Sequence, residues 1–128
     1  MIEMLIVDDD YMSYLQRFRT AFKGEVQFSA VDNGIKGADL FQRKRFEGVI
    51  LDYDMPHDGY QTALKMKAHS PNIPLIGFSV KWDERLALEL NLFAYSSKEE
   101  NIAKAVAQLC RMDDQTFSKK IKPYFSGR

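Results

Sequence analysis

Short runs of apolar residues recur along the chain, separated by longer segments in which apolar positions repeat every three or four residues. Each run has the length of a strand and is rich in β-branched, aromatic or large aliphatic side chains. The second run alternates apolar and polar positions, as in an edge strand, whereas the others are continuous, as in strands covered on both faces. The five predicted strands are Met4–Val7, Val26–Val31, Val49–Leu51, Leu75–Phe78 and Leu92–Tyr95.

The intervening segments have the spacing of helices. Four apolar residues after the first run fall on one helix face: Tyr11, Leu15, Phe18 and Phe22. Ser70-Pro71 ends the third helix, Asp83 caps a short fourth one, and Ser97 with Glu100 has the spacing of a capping box for the fifth. Strands that alternate with helices require crossover connections, so the pattern predicts an α/β protein with a doubly wound, five-stranded parallel sheet.

Composition narrows the class of protein. The chain has 128 residues, 18 basic and 18 acidic, which suits one domain and argues against direct binding of nucleic acid. The single cysteine, Cys110, excludes an internal disulfide framework and a cysteine-based zinc site. No apolar run approaches the ~20 residues of a membrane span, and no signal peptide is recognisable. We therefore expect a cytoplasmic protein that does not bind membranes.

The end of the sequence differs from the rest. Residues 112–128 carry several charged residues and only scattered apolar ones. We interpret residues 1–111 as the domain and residues 112–128 as a C-terminal tail or the start of a linker.

Acidic residues follow two of the predicted strands. Asp8, Asp9 and Asp10 follow the first strand, and Asp52 and Asp54 follow the third. Sites in open α/β sheets form beyond the carboxyl ends of the strands, where the strand order reverses. In the order 2-1-3-4-5, the first and third strands are neighbours, so these carboxylates are expected to lie together.

Crowded carboxylates repel one another, and a hard divalent cation such as Mg²⁺ relieves that repulsion with oxygen ligands. Ser79 and Lys98, at the ends of the fourth and fifth strands, add a hydroxyl and an ammonium group. A carboxylate nucleophile, a metal and two groups able to hold phosphoryl oxygens are the parts needed for phosphoryl transfer to an aspartate.

With these residues the sequence resembles the receiver domain of two-component response regulators, of the chemotaxis-regulator type. The resemblance covers about residues 1–111 and implies a flavodoxin-like fold, here with a shortened fourth helix. The residues that carry it are Ile6–Asp10, Asp32–Gly34, Val49–Pro56, Asp58-Gly59, Ser79, Tyr95 and Lys98.

The resemblance implies a role for each site residue. Asp52 accepts a phosphoryl group from a sensor histidine kinase or a phosphotransfer protein. Asp8, Asp9, Asp52 and the backbone carbonyl of Asp54 (or of Tyr53) hold Mg²⁺. Ser79 and Lys98 contact the phosphoryl group, and Tyr95 is an aromatic switch. A bacterial signalling protein that acts on an unknown output protein is expected.

Several residues depart from the family pattern around the switch. Only His57 separates Pro56 from Asp58, so the loop is one residue short. Val80 is large for its position and is expected to crowd the phosphorylation site. Glu99 replaces the usual proline after Lys98, so we expect a trans peptide bond and a displaced Lys98. Trp82 has two interpretations, as a partner contact or as a cap on the short fourth helix.

Two alternative functions stay open at this point. The divergent switch favours a pseudo-receiver that binds partners without being phosphorylated. The segment Asp52-Tyr53-Asp54 after a strand also fits an aspartate-nucleophile phosphatase, although only Asp113-Asp114 offers a second acidic motif.

Overall fold

All five predicted strands form, and they pair in parallel in the order β2-β1-β3-β4-β5. The computed structural model describes residues 1–127. The strands are β1 (Ile2–Val7), β2 (Val26–Val31), β3 (Gly48–Leu51), β4 (Leu75–Phe78) and β5 (Ala94–Ser96). The predicted edge position of β2 and the doubly wound topology are both confirmed. Strand β5 begins two residues later than predicted and, as the other edge strand, is partly exposed rather than covered on both faces.

Five helices connect or follow the strands. They are α1 (Leu15–Ala21), α2 (Gly34–Arg43), α3 (Gly59–His69), α4 (Glu84–Leu90) and α5 (Glu99–Leu109). A 3₁₀ turn at Tyr11–Ser13 precedes α1, so the predicted single helix from Tyr11 is interrupted at Tyr14. Helix α4 has only seven residues, as expected, and the Asp83 carboxylate accepts a hydrogen bond from the Leu86 amide at its start.

Alternate residues of the inner strands point to opposite faces of the sheet, and both faces are covered. Met4 and Ile6 face a core shared with α1 and α5. Leu5 and Val7 face a second core shared with α2, α3 and α4. Apolar side chains are thus buried on both faces, which explains why the inner strands are continuous apolar runs.

Residues 112–127 are helical and packed, in contrast to the predicted tail. A short helix α6 (Asp114–Thr116), a π-helical turn (Phe117–Ile121) and a 3₁₀ turn (Lys122–Tyr124) follow α5. Phe117, Ile121 and Phe125 are buried in the core beside α1 and α5. Their four-residue spacing is that of one helix face, a pattern hidden by the charged residues between them.

The shortened loop between β3 and α3 is fixed against α2. His57 takes a left-handed backbone conformation with φ 56°, which closes the turn with one residue fewer. The Gly34 amide donates a hydrogen bond to the Pro56 carbonyl oxygen at 3.2 Å. A Cβ atom at Gly34 would overlap the His57 carbonyl oxygen, so only glycine permits this approach. The carboxylate of Asp58 caps α3.

Among the residues that the structure describes, no helix has the length and hydrophobicity needed to cross a membrane.

Candidate functional site

Three carboxylates meet at the carboxyl ends of β1 and β3. Asp8, Asp9 and Asp52 each present an oxygen within 4.8 Å of the others. The pairing of the two strands causes this proximity, because the Asp52 amide donates a hydrogen bond to the Val7 carbonyl oxygen at 2.9 Å. Asp8 and Asp52 therefore follow paired residues of adjacent strands.

Asp8 is the most enclosed of the three carboxylates and is held by two hydrogen bonds. The Tyr14 hydroxyl donates to its Oδ2 at 2.7 Å, and the Asp10 amide donates to its Oδ1 at 2.8 Å. Tyr14 is itself buried, with its ring edge-on to Phe18 and Phe78. The sequence reasoning missed Tyr14, although its position four residues before Phe18 places it on the same helical face.

Burial and mutual repulsion raise the pKa values of Asp8 and Asp52. Burial and, next, the charge of Asp8 raise the pKa of Asp52 from its ordinary value of 3.8 to about 7. Burial is also the main reason why the pKa of Asp8 is raised. The Tyr53 amide donates to Asp52 Oδ1 at 2.8 Å, which lowers the pKa of Asp52 but does not offset the other effects. A cation bound between the carboxylates would relieve this repulsion.

A cavity of about 340 Å³ opens over the carboxylates. Phe78 and Glu99 are in its wall, and Ser13 and Tyr14 complete it beside the aspartates. Arg17 of α1 donates a hydrogen bond to Glu99 Oε1 and neutralises that carboxylate. The open space and the oxygen ligands suit a hard divalent cation with bound water and a small anionic group.

Asp54 lies beside this cluster, with its side chain turned outwards. Its exposed carboxylate pairs with Lys81. The neighbouring Tyr53 carbonyl oxygen accepts a hydrogen bond from the Gly59 amide at 2.9 Å. Of the two backbone carbonyls considered from the sequence, that of Tyr53 is therefore already engaged in the protein.

Lys98 forms no ion pair with the clustered carboxylates in the described chain. It is exposed at the N-terminus of α5, and no ion pair of Lys98 is present within residues 1–127. The described chain has no cis peptide bond, as expected for a lysine followed by Glu99. The predicted capping box is wrong, because Lys98 rather than Ser97 occupies the N-cap position and no side chain accepts a cap hydrogen bond at this end of α5 in the described chain.

Ser79 and Tyr95 lie on the neighbouring strand ends. Ser79 follows β4; its amide donates to the Ser96 carbonyl oxygen at 3.1 Å, and its Oγ accepts from the Lys81 amide at 3.1 Å. Tyr95 is 41% exposed on the edge strand β5. Val80, which was expected to crowd the site, is 82% exposed.

Neither interpretation of Trp82 holds, since the cap of α4 is Asp83 and Trp82 packs inside the protein. It is buried, so it is not a surface contact for a partner. Its indole N–H donates to the Leu51 carbonyl oxygen at 2.9 Å, and its ring packs edge-on against Tyr53. A Cβ atom at Gly77 would lie 2.7 Å from the indole, so the glycine in β4 makes room for the ring. A glycine in β4 five residues before a tryptophan is the sequence signal that could have indicated this packing.

Comparisons with known proteins agree with this arrangement. Residues 4–110 match the sequence model of the response regulator receiver domain. No curated protein sequence matches the chain.

Solved structures of similar fold come from several organisms. One is the receiver domain of sensor histidine kinase PA1611 from Pseudomonas aeruginosa PAO1, which was solved with a magnesium ion in its active site cleft. It has a TM-score of 0.70 and 18% sequence identity, and the match covers 86% of this chain and 98% of that one. Chemotaxis protein CheY4 of Vibrio cholerae has a TM-score of 0.71 and 17% identity, covering 85% and 98%. A two-component response regulator of Clostridium difficile has a TM-score of 0.73 and 15% identity, covering 87% and 97%.

At sequence identities below 20%, these structural similarities establish the fold alone. The sequence match to the family model covers residues 4–110 and establishes the family. The chain belongs to the response regulator receiver domain family of two-component systems.

Proposed function

We propose that Asp52 accepts a phosphoryl group from a phosphohistidine of a sensor histidine kinase or a phosphotransfer protein. The single observation that carries the proposal is the meeting of Asp8, Asp9 and Asp52 at one sheet edge. Three adjacent carboxylates, two of them withdrawn from solvent, are costly in an ordinary fold. They are useful where a metal ion and a transferred phosphoryl group occupy the same cavity.

In this proposal Mg²⁺ binds to Asp8, Asp9, Asp52 and the backbone carbonyl of Asp54. The donor set fits, because Mg²⁺ prefers carboxylate and carbonyl oxygens and keeps some of its waters. The magnesium ion in the Pseudomonas aeruginosa receiver domain supports the same choice of metal. When bound, the ion neutralises charge on the phosphoryl oxygens. The Tyr14 hydroxyl and the Asp10 amide keep the Asp8 carboxylate in place as a ligand.

The reaction makes the chain a phosphoacceptor rather than an enzyme that turns over free substrates. The roles that the family resemblance gives to Ser79, Lys98 and Tyr95 stay predictions in this scheme. Ser79 can still donate its own O–H to a phosphoryl oxygen while its Oγ accepts from the Lys81 amide. Signalling then proceeds through protein–protein contacts with an output partner.

The direct test is phosphorylation by acetyl phosphate in the presence of Mg²⁺, measured by intact mass spectrometry. We expect the wild-type protein to gain the mass of one phosphoryl group, and the gain to disappear when Mg²⁺ is chelated. Asp52→Ala should show no gain. A gain that persists in Asp52→Ala would exclude Asp52 as the acceptor.

A second candidate function is a binding module that acts without phosphorylation. The observation that favours it is that Lys98 neither lines the cavity nor pairs with a carboxylate of the described chain, whereas Glu99 lines the cavity and pairs with Arg17. This function predicts that the wild-type protein gains no phosphoryl group from acetyl phosphate with Mg²⁺. The same mass measurement thus separates it from the first proposal.

The phosphatase alternative finds little support in the placement of its second acidic motif. Glu99 at the start of α5 borders the cavity, whereas Asp113 and Asp114 follow the other end of that helix. Eleven residues of helix span about 16 Å. The Asp113 carboxylate instead caps α6 by accepting from the Thr116 amide. Turnover of p-nitrophenyl phosphate that depends on Asp52 would favour the phosphatase.

A further inference from the structure

The cavity over Asp52 is lined by four aspartates and Glu99 but by no lysine of the described chain. A phosphoryl group on Asp52 would add negative charge to this cluster. Stabilising that charge requires a nearby cation besides the metal ion. Lys98, the expected lysine, is exposed at the start of α5 without a carboxylate partner in the described chain.

Lys81 approaches the same loop from the other side. It lies between β4 and α4, and its Nζ atom is 2.8 Å from Asp54 Oδ2 and 2.9 Å from Asp54 Oδ1. Asp54 is only two residues from Asp52. The ammonium group is thus held next to the loop that follows the proposed acceptor.

The backbone around Lys81 is fixed on both sides. On one side, the Lys81 amide donates to Ser79 Oγ, and the Ser79 amide donates to the Ser96 carbonyl oxygen. On the other side, the buried indole of Trp82 donates to the Leu51 carbonyl oxygen. Leu51 directly precedes Asp52, so Trp82 ties the segment that bears Lys81 to the strand that bears the acceptor.

The side chain of Lys81 itself is free to change partner. Its pairing with Asp54 is exposed, and exposed ion pairs are weak because water and salt screen them. Four methylene groups give the ammonium a wide range of positions. A phosphoryl group on Asp52 can therefore compete with Asp54 for this ammonium group.

We propose that Lys81 leaves Asp54 and contacts a phosphoryl oxygen on Asp52, the role that the family resemblance gives to Lys98. This inference rests on the proposed function of Asp52. Trp82 is a positioning residue in the scheme, because it anchors the segment from which Lys81 extends. Asp54 holds the ammonium near the site until the phosphoryl group arrives.

The chemical step with a small phosphodonor is balanced without proton transfer. A carboxylate oxygen of Asp52 forms a bond to the phosphorus of acetyl phosphate, and the bond between phosphorus and the acetate oxygen breaks. Acetate leaves with the electron pair of that bond. Lys81 keeps its proton and neutralises charge on the phosphoryl oxygens throughout.

The test compares phosphorylation rates of lysine variants with acetyl phosphate and Mg²⁺, by intact mass. Lys81→Met removes the charge and keeps the length of an exposed side chain, and we expect a loss of about tenfold or more in rate. Lys98→Met should reduce the rate less than Lys81→Met does. Lys104→Met, at an exposed position on α5, is the matched control and should behave as the wild type.

Two further variants separate a phosphoryl contact from a merely structural ion pair. Asp54→Asn frees the ammonium and keeps the backbone carbonyl, so it should react faster than the wild type. If Lys81 only stabilised the loop through Asp54, Asp54→Asn would instead be as slow as Lys81→Met. Lys81→Arg should restore most of the rate, since it keeps the charge. The apparent KM for acetyl phosphate should rise in Lys81→Met and not in Asp54→Asn.

The outcomes distinguish this inference from the function on which it rests. A wild-type protein that gains no phosphoryl group would overturn both. A wild-type protein phosphorylated on Asp52, with Lys81→Met reacting at the normal rate or Lys98→Met the slower variant, would overturn the role of Lys81 alone.

Discussion

Replacing Asp52 by asparagine should stabilise the folded protein at neutral and higher pH when no metal is bound. The native pKa of Asp52 is raised from 3.8 to about 7, chiefly by burial and then by the charge of Asp8. Between these two values the folded state binds more protons than the unfolded state. Stability therefore falls as the pH rises from about 4 to 7, and the whole penalty applies above pH 7. An uncharged asparagine side chain at this position avoids the penalty.

The size of the effect follows from the same values. A rise from 3.8 to about 7 corresponds to about 4 kcal/mol if it is fully expressed in the free energy of unfolding. Asp52 is only partly buried, so solvent screens part of the repulsion. We expect Asp52→Asn to be more stable than the wild type by about 1–2 kcal/mol at pH 8, and by much less near pH 4.

Urea denaturation in the presence of a chelator measures this difference. The single tryptophan, Trp82, is buried and reports unfolding by its fluorescence. The matched control is Asp54→Asn, which removes an exposed carboxylate from the same loop and should change stability much less. Adding Mg²⁺ at ten times its dissociation constant should stabilise the wild type by about 1.4 kcal/mol and the Asp52→Asn variant less.

Two results would refute this reasoning about the carboxylates. One is an Asp52→Asn variant that is no more stable than the wild type at pH 8 without metal. The other is a stability difference that does not change between pH 4 and pH 8, since the charge penalty is small near the unfolded pKa of 3.8 and complete only above about 7.

Three further predictions concern side chains that support the site. Tyr14→Phe removes the hydroxyl that donates to Asp8; it should cost about 1.5–3 kcal/mol in stability and weaken Mg²⁺ binding, as measured by urea denaturation and by metal titration. Trp82→Phe leaves a buried main-chain carbonyl at the end of β3 without its donor, so thermal denaturation should show a loss of about 1–3 kcal/mol. Phe125→Ala should lower the free energy of unfolding by about 3–5 kcal/mol, because Phe125 is buried in the core. The control Tyr124→Ala, at a residue that is 42% exposed, should lower it far less. Equal losses in urea denaturation would contradict the packing of residues 112–127 on the core.

The positions of the acidic residues could be predicted because they depend on topology alone. Strand lengths and the alternation of strands with helices determine which strand ends are adjacent. Asp8, Asp9 and Asp52 therefore meet in the structure as the sequence indicated. Helix α4 is short for an equally simple reason, since few residues separate β4 from β5.

Tertiary packing decides the features that the sequence did not reveal. Tyr14 reaches Asp8 only because the helix is interrupted just before α1. Trp82 turns inwards because Gly77 leaves space for the ring and the Leu51 carbonyl oxygen offers an acceptor. The apolar face of residues 112–127 is small, and charged residues between its members obscure it. These contacts depend on how the elements pack against one another in space, so local patterns carry little information about them.

The most direct test of Asp52 as a phosphoacceptor in a metal site is a crystal structure of the protein with Mg²⁺ and the phosphoryl mimic beryllofluoride. We predict Mg²⁺ bound by Asp8, Asp9, Asp52 and the Asp54 carbonyl oxygen, with beryllofluoride on the Asp52 carboxylate. A structure in which the carboxylates bind no metal, or in which beryllofluoride is attached to another residue, would contradict the account.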